Sequence, residues 1–277
     1  MLNIDLHSHS RCSDGMLTPS ELVARAAANG AKVLALTDHD ILQGAGEARF
    51  ACEEKGVHFV PGVEISITWG GRSIHIVGLH VNENDAGLLK NLDANRAGRV
   101  ERGAEIGRRL AAQGIPGAYE SVLKQVSNPI VVSRKHFSRF LVEAKICNNT
   151  DEAFDLYLKK GRPAYVFHEW TTLEKAVSWI HAAGGVAIIA HPGRYDISTE
   201  ALLQLFGEFR ELGGAAIEVV TGSHGRDLYP YFADLANRFG FLASAGSDFH
   251  APDENYLDVG KIPPLPDGLK PVWHDWF

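Results

Sequence analysis

Cysteine is scarce in this chain. Cys12, Cys52 and Cys147 are the only three among 277 residues, too few, odd in number and too widely spaced for a disulfide framework or a CxxC zinc knuckle. Such usage suits a reducing cytoplasm. Long apolar runs are also missing. None approaches the roughly 20 residues that span a bilayer, so no membrane partner is expected. The start, Met1-Leu-Asn-Ile-Asp5, has neither a basic stretch nor an apolar one, and no secretory signal is expected. Internal repeats and low-complexity tracts are absent, and nothing calls for an obligate protein partner. The remainder is 45% hydrophobic and 22% charged, an ordinary globular composition. The length suits one barrel-sized domain, or a domain with an insertion.

The first stretch alternates strand and helix. Leu2 to Leu6 reads as a short strand. Thr18-Pro-Ser-Glu21 is a capping box with proline at the first helical position, and the helix should stop near Asn29-Gly30. Strands are expected over Lys32–Thr37 and Val57–Val63, with a helix over Gln43–Glu54 between them. Glu64–Thr68 and Ser73–His80 flank Gly70-Gly71 and read as a hairpin. One long helix is then expected from Asp85 to about Gln113, followed by short helices around Ala118–Val126, Ser133–Glu143 and Thr150–Lys159. Alternation returns with helices over Leu173–Ala183, Glu200–Leu212 and Asp227–Phe239. Their strands are Val186–Ala190, Ala215–Val220 and Phe241–Ala245, and the tail from Pro263 is irregular. Such alternation implies an α/β protein with a parallel sheet, closed or nearly closed into a barrel. Residues 99–165 interrupt it as an α-helical insertion between barrel parts 1–98 and 166–277.

The net charge of −7 is unevenly spread. From Arg99 to Tyr165 there are 12 Lys/Arg against 7 Asp/Glu. A basic segment in an otherwise acidic chain points to an anionic partner; a solvated helical surface is the plain alternative. Arg96, Arg99 and Arg102 recur every three residues and should share a helix face. Arg134 and Lys135 precede His136.

Chemistry-bearing residues gather at the predicted strand ends. His7-Ser-His9 and Asp14 follow the first strand, and Thr37-Asp-His-Asp40 follows the second. Gly62-Val-Glu64 closes the third, the hairpin carries His75, and His191-Pro-Gly193 and Gly246-Ser-Asp-Phe-His250 follow two later strands. In a barrel of parallel strands these ends open on one face, so His7, His9, Asp14, His39, Glu64, His75, His191, Asp248 and His250 should converge. Any one of these histidines alone would carry little weight, and His58, His80, His168, His181 and His274 read as core or surface residues. Nine nitrogen and oxygen ligands exceed the needs of one ion, so two or three divalent metals are expected. Imidazoles mixed with carboxylates suit Mn, Zn or Fe better than Mg alone. Clustered ions of this kind suit phosphate ester hydrolysis by a metal-activated hydroxide.

The set HxH, TDHD, GxE, AHP and GSDFH resembles the PHP (polymerase and histidinol phosphatase) superfamily, over about residues 1–98 and 166–277. That resemblance implies a distorted (β/α)7 TIM-like barrel with a trinuclear metal centre. It implies His7, His9, Glu64 and Asp248 at one metal, with Glu64 bridging to a second held by His75 and His191. Asp14, His39 and His250 would hold a third. His39, Asp248 and His250 are then the candidates for a direct part in catalysis, with Asp40 near enough to influence proton transfer. The helical insertion, SRKHF at 133–137 and AHPGRY at 190–195 resemble one bacterial branch, that of 3′,5′-nucleoside bisphosphate phosphatases and ribonuclease AM-like 5′→3′ exoribonucleases.

A substrate with two phosphates needs one over the metals and one held by cations, and guanidinium forks suit the second task. Arg99, Arg102, Arg134 and Lys135 are the expected phosphate binders. Arg194, beside the His191 loop, would clamp the reacting phosphate. His224 lies just past another strand end, where it could touch substrate or simply pack. The activity that the resemblance implies is removal of the 3′-phosphate from a nucleoside 3′,5′-bisphosphate such as adenosine 3′,5′-bisphosphate. Exonucleolytic cleavage of short RNA is an alternative, although no basic stripe interleaved with aromatics marks a long single-strand path. Histidinol phosphatase is a second alternative, and one phosphate leaves the extra cations without a use. A non-catalytic metal- or nucleotide-binding module would lack ligands, and this set looks complete.

Overall fold

The computed structural model describes residues 3–126, 128–254 and 257–276. Leu2, expected to open the first strand, lies outside them. Seven strands form one sheet in sequence order: β1 (Ile4–Asp5), β2 (Val33–Leu36), β3 (His58–Trp69), β4 (Arg72–Leu79), β5 (Val186–Ile189), β6 (Ala216–Thr221) and β7 (Leu242–Gly246). Pairing is parallel except around β4, which runs antiparallel to both β3 and β5. The segment after β7 returns to the segment after β1: the Leu6 amide donates to Ala245 at 3.0 Å and the Asp248 amide to His7 at 2.8 Å. The sheet thus closes on itself as the expected distorted α/β barrel. Gly246 makes this closure possible, because a Cβ there would stand 2.3 Å from the His7 Cβ.

Alternate residues of a strand face opposite sides, and the apolar clusters follow that parity. Leu34, Ile65, Ile76, Ile189 and Ile217 face the surrounding helices, whereas Ile4, Val60, Val77 and Ile188 pack together on the other side. The same parity turns Glu64 and Ser66 of β3, His75 of β4 and Glu218 of β6 inward. These are buried or half-buried positions in otherwise apolar strands.

The helices are α1 (Pro19–Ala28), α2 (Ala45–Lys55), α3 (Ala86–Arg96), α4 (Arg99–Ala112), α5 (Ala118–Gln125), α6 (Arg134–Glu143), α7 (Thr150–Ala153), α8 (Leu173–Ala182), α9 (Thr199–Glu211) and α10 (Tyr229–Phe239). Thr18 caps α1 with the expected box to Glu21. Two expectations change. The third strand and the first hairpin arm are one 12-residue strand, so Glu64 sits within β3 rather than at its end. The long helix over 85–113 is two helices, broken at Ala97-Gly98, where a Cβ on Gly98 would fall 2.0 Å from the His168 ring. Arg96 and Arg99 therefore do not share one continuous helix. Helices α4 to α7 pack on their own small core of Ile106, Leu110, Val122, Phe137, Leu141 and Leu158. No helix among the described residues is long and apolar enough to cross a membrane.

Candidate metal centre and its cleft

His7 and His9 stand in the loop after β1, two residues apart, with their Nε2 atoms 3.1 Å from each other. Glu64 Oε2 lies 3.4 and 3.3 Å from these nitrogens, and Asp248 Oδ1 lies 3.4 and 3.2 Å from them. The other Glu64 oxygen, Oε1, is 2.9 Å from His75 Nδ1 and 3.0 Å from His191 Nε2. Asp14 Oδ1 is 3.4 Å from His250 Nε2, and Asp14 Oδ2 is 3.8 Å from His39 Nε2. The ring of His39 bridges the space between, its Nδ1 2.9 Å from Glu64 Oε2. A neutral imidazole has one nitrogen lone pair in its plane, so His39 serves one side or the other. Within each of three groups the donor atoms lie within 4.8 Å of one another: His7, His9, Glu64 and Asp248; His9, Asp14, His39 and His250; His39, Glu64 and His75.

These donors suit divalent ions better than each other. Two ligand atoms held at about 2.1 Å from one ion, at 90–110° apart, are roughly 3.0–3.4 Å from each other. Most of the spacings above fall in that interval. Glu64 Oε2, Asp14 Oδ1, His39 Nδ1 and His75 Nδ1 are buried, yet among the described residues none meets hydrogen-bond geometry despite its close neighbours. A shared ion would satisfy such closely spaced donor atoms, and a buried polar atom left without a partner would be costly. Electrostatics agrees. Burial opposes charge on Asp14 and Glu64, but His39 and His250 for Asp14, and His39, His75 and His7 for Glu64, hold both carboxyls well below the ordinary range. Burial pushes His75 and His250 down to about 4, which keeps their lone pairs available. Burial also opposes charge on His7, but Glu218, Glu64 and Asp248 outweigh it and raise its pKa. Carboxylates that favour a proton there favour a divalent ion equally.

Glu218 went unnoticed in the sequence. Its Oε1 is 2.7 Å from His7 Nδ1, and its Oε2 accepts the His191 amide at 2.6 Å. One carboxylate thereby orients two candidate ligands, the usual support of a metal-bound imidazole. A register shift between Glu218 and Val220 marks a bulge, a device that re-aims side chains. Its signal was a lone charge in Ala216-Ile-Glu-Val-Val-Thr221. Asp38 holds the loop between His9 and Asp14, accepting from the Ser10 amide at 2.8 Å, the Ser10 hydroxyl at 2.6 Å and the Ser13 hydroxyl at 2.5 Å. His191 and Asp248 adopt positive φ, 28° and 51°, a backbone state costing about 1–3 kcal/mol per residue. Each is held there by an amide hydrogen bond, to Glu218 and to the His7 carbonyl.

A cleft of about 490 Å³ opens above this cluster, and Arg99, Arg102, Arg134, Lys135 and Arg194 all line it. Their charges are not equally free. Arg99 donates to Asp40 Oδ2 at 2.5 Å and stacks on Trp170 at 4.6 Å. Asp40 also accepts from the Ser66 amide and from Asn95, so it is a buried acceptor of several hydrogen bonds. Lys135 pairs with Glu254 at 3.2 Å. Arg194, 48% exposed at the mouth, lies 3.5 Å from Asp248 Oδ2. Arg102 and Arg134 have no carboxylate within ion-pairing distance among the described residues. Arg102 donates to the Val166 carbonyl and lies over Trp170, and Arg134 lies over Phe154 and Tyr165. Burial, and then neighbouring positive charge, pushes the pKa of both down. Half-buried cations without a counter-charge are costly, and an incoming anion would relieve them. His224 is a packing residue: it accepts the Gly193 amide and stacks on Phe232. His58, His80, His168, His181 and His274 do not line the cleft.

Comparison with known proteins places these features in context. The family model for the PHP domain matches residues 5–219. The chain is 46% identical, over 99% of its length and 96% of the relative's, to a 3′,5′-nucleoside bisphosphate phosphatase of Chromobacterium violaceum. It is 41% identical to a 5′-3′ exoribonuclease of Haemophilus influenzae, over 97% of each chain. Its backbone matches the structure of an amidohydrolase from Chromobacterium violaceum, with bound sulfate and no metal, at a TM-score of 0.95 and 46% identity. That match covers 98% of this chain and 94% of the other.

Proposed function

On the premise that the chain belongs to the PHP domain family, we propose that it is a metal-dependent phosphatase converting nucleoside 3′,5′-bisphosphates to 5′-monophosphates. The observation that carries this reading is the division of the cleft. Its floor is the histidine–carboxylate cluster, and its wall holds Arg102 and Arg134, which have no carboxylate partner among the described residues. A substrate with two phosphates matches both parts. His7, His9, Glu64 and Asp248 would hold one divalent ion, Glu64 with His75 and His191 a second, and Asp14 with His39 and His250 a third. We take Mn²⁺ as the resident ion, with Zn, Fe or Mg as alternatives. Bound there, such ions neutralise phosphoryl charge and supply hydroxide near neutral pH.

The protein's own residues do the rest. Arg194 at the mouth suits the reacting phosphate, and the guanidinium forks of Arg102 and Arg134 suit the second one. Residues 99–165 act as the substrate-binding insertion in this reading, and the scarce cysteines favour a cytoplasmic protein. Single-phosphate substrates such as histidinol phosphate leave those guanidiniums unused. The likeness to the Haemophilus influenzae exoribonuclease favours a second reading, 5′→3′ cleavage of short RNA by the same centre.

Both readings meet in one experiment. Purified protein with Mn²⁺ is incubated with adenosine 3′,5′-bisphosphate, or with a 5′-phosphorylated oligoribonucleotide, with and without EDTA. AMP and free phosphate, lost on chelation, are expected from the first substrate. Turnover of the oligonucleotide alone would favour the second reading, and activity that survives EDTA would remove the metal from both.

A further inference from the structure

Helix α6 carries Arg134 and Lys135 of the cleft wall in its first turn. Its N-cap, however, reaches the floor of the cleft. The Ser133 hydroxyl lies 2.8 Å from Asp14 Oδ2. The direction of that bond follows from its neighbours. The Ser133 amide donates to His136 Nδ1 at 3.1 Å, so this nitrogen carries no proton. The Ser133 oxygen accepts from the Lys135 amide at 3.0 Å. The single hydroxyl proton is then directed to Asp14, because the alternative acceptor, His136 Nδ1, is farther at 3.4 Å. With Oδ2 engaged, Asp14 Oδ1 is left facing His250 Nε2.

The backbone of Asp14 is held from the same helix. Arg139, buried one and a half turns further along α6, donates to the Asp14 carbonyl at 2.6 Å. Its remaining nitrogens grip Glu254 at 2.8 and 2.9 Å. Glu254 belongs to the loop that follows His250, so one guanidinium ties together the two loops that carry Asp14 and His250.

We propose that Ser133 and Arg139 are positioning residues for Asp14, and that the metal position formed by Asp14, His39 and His250 therefore depends on the inserted helices. This rests on the reading of Asp14 as a metal ligand. The insertion then has two roles, holding the substrate's second phosphate and completing the metal centre beneath it. Outer groups that orient a ligand typically govern metal affinity by about 10–100-fold.

The test is equilibrium Mn²⁺ binding to the metal-free full chain, followed by electron paramagnetic resonance of free Mn²⁺, without substrate. Wild type is compared with Ser133→Ala, Ser133→Gly, Ser133→Thr and Asp14→Asn. Glycine keeps a serviceable helix cap while lacking the hydroxyl. The expected result is that Ser133→Ala and Ser133→Gly both weaken one class of site by about 10–100-fold and leave the others unchanged, while Ser133→Thr binds as wild type does. Loss in Ser133→Ala with wild-type binding in Ser133→Gly would assign the effect to the helix cap and overturn the proposal. Full wild-type affinity in both would overturn it too, as would failure of Ser133→Thr to restore binding in a folded protein. If Asp14→Asn also binds every ion normally, the reading of Asp14 as a ligand falls, and this inference falls with it. If Asp14→Asn loses a site and the Ser133 variants do not, only the positioning role fails.

Discussion

Around Glu64, imidazole nitrogens and carboxylate oxygens crowd within about 3.5 Å of one another, the two kinds of ligand atom interleaved. On the helical wall, Arg102 and Arg134 approach each other and Arg99 with like charge, and aromatic rings and backbone carbonyls are their contacts. The floor is balanced among its own groups and lacks only a centre for the donor atoms to share. The wall is unbalanced and lacks an anion. In the proposed reading, the two regions complete each other when a divalent metal and a phosphorylated ligand are both bound. The floor's demand is geometric, since its donors are already spaced for an ion. The wall's demand is electrostatic, and many anions of suitable size would meet it. Chemistry should accordingly be intolerant of change on the floor, and selectivity should be adjustable on the wall.

The largest effect should come from the floor. Glu64→Gln keeps the shape of the side chain but removes the charge that His7, His9, His39, His75 and His191 and two candidate metal positions share. We expect kcat/KM to fall by about 10³-fold or more, a loss of several kcal/mol, with a parallel fall in bound Mn²⁺ measured by elemental analysis. Retained metal and retained activity would break the comparison at its root. A smaller and differently shaped effect is expected from the wall. Removing one guanidinium, in Arg134→Met or Arg102→Met, deletes charge-assisted hydrogen bonds worth about 1.5–3 kcal/mol. KM for adenosine 3′,5′-bisphosphate should rise by about 10–100-fold, while kcat/KM for 4-nitrophenyl phosphate, which has one phosphate, should change little. Equal losses on both substrates would mean that the wall acts on the reacting phosphate, not the second one.

The floor was the more legible region in the sequence, for a physical reason. Histidines and carboxylates at strand ends are rare enough that their joint pattern stands out, and the barrel's parity brings them together. His7, His9, Asp14, His39, Glu64, His75, His191, Asp248 and His250 all appear in one cluster, and the alternation of β and α segments gave the barrel itself. Glu218 was hidden because a single glutamate in a strand gives no periodic signal. Its role depends on a bulge and on two residues that are 211 and 27 positions away. The run from β3 into the hairpin was legible as strand but not as one strand, because Gly62 and Glu64 looked like punctuation in a continuous pleat. The break between α3 and α4 was hidden for the opposite reason. Gly98 is a mild interruption locally, and it is the His168 ring, 70 positions away, that needs the space. Charge counts found the basic wall without telling which cations are spent. Arg99 and Asp40 are 59 positions apart, and no spacing rule pairs them.

That distinction between spent and unspent cations gives the smallest and sharpest prediction. Lys135 lines the same cleft as Arg134, and the sequence treats the two alike. The structure separates them: the Lys135 ammonium is 3.2 Å from Glu254 Oε2, a carboxylate also gripped by Arg139. A phosphate approaching Lys135 must compete with that partner, and the pair is largely shielded from water, its side chains 18% and 12% exposed, so the ammonium is already engaged. Lys135→Met should therefore raise KM for adenosine 3′,5′-bisphosphate by less than about 5-fold, well below the effect of Arg134→Met. Parallel steady-state kinetics on the two variants at one salt concentration decides the matter. If Lys135→Met matches Arg134→Met, the ammonium leaves Glu254 when substrate binds, and Lys135 reads the second phosphate alongside Arg134. If the two differ as expected, the pairing seen around Glu254 persists in the complex, and the second phosphate is read by Arg102 and Arg134.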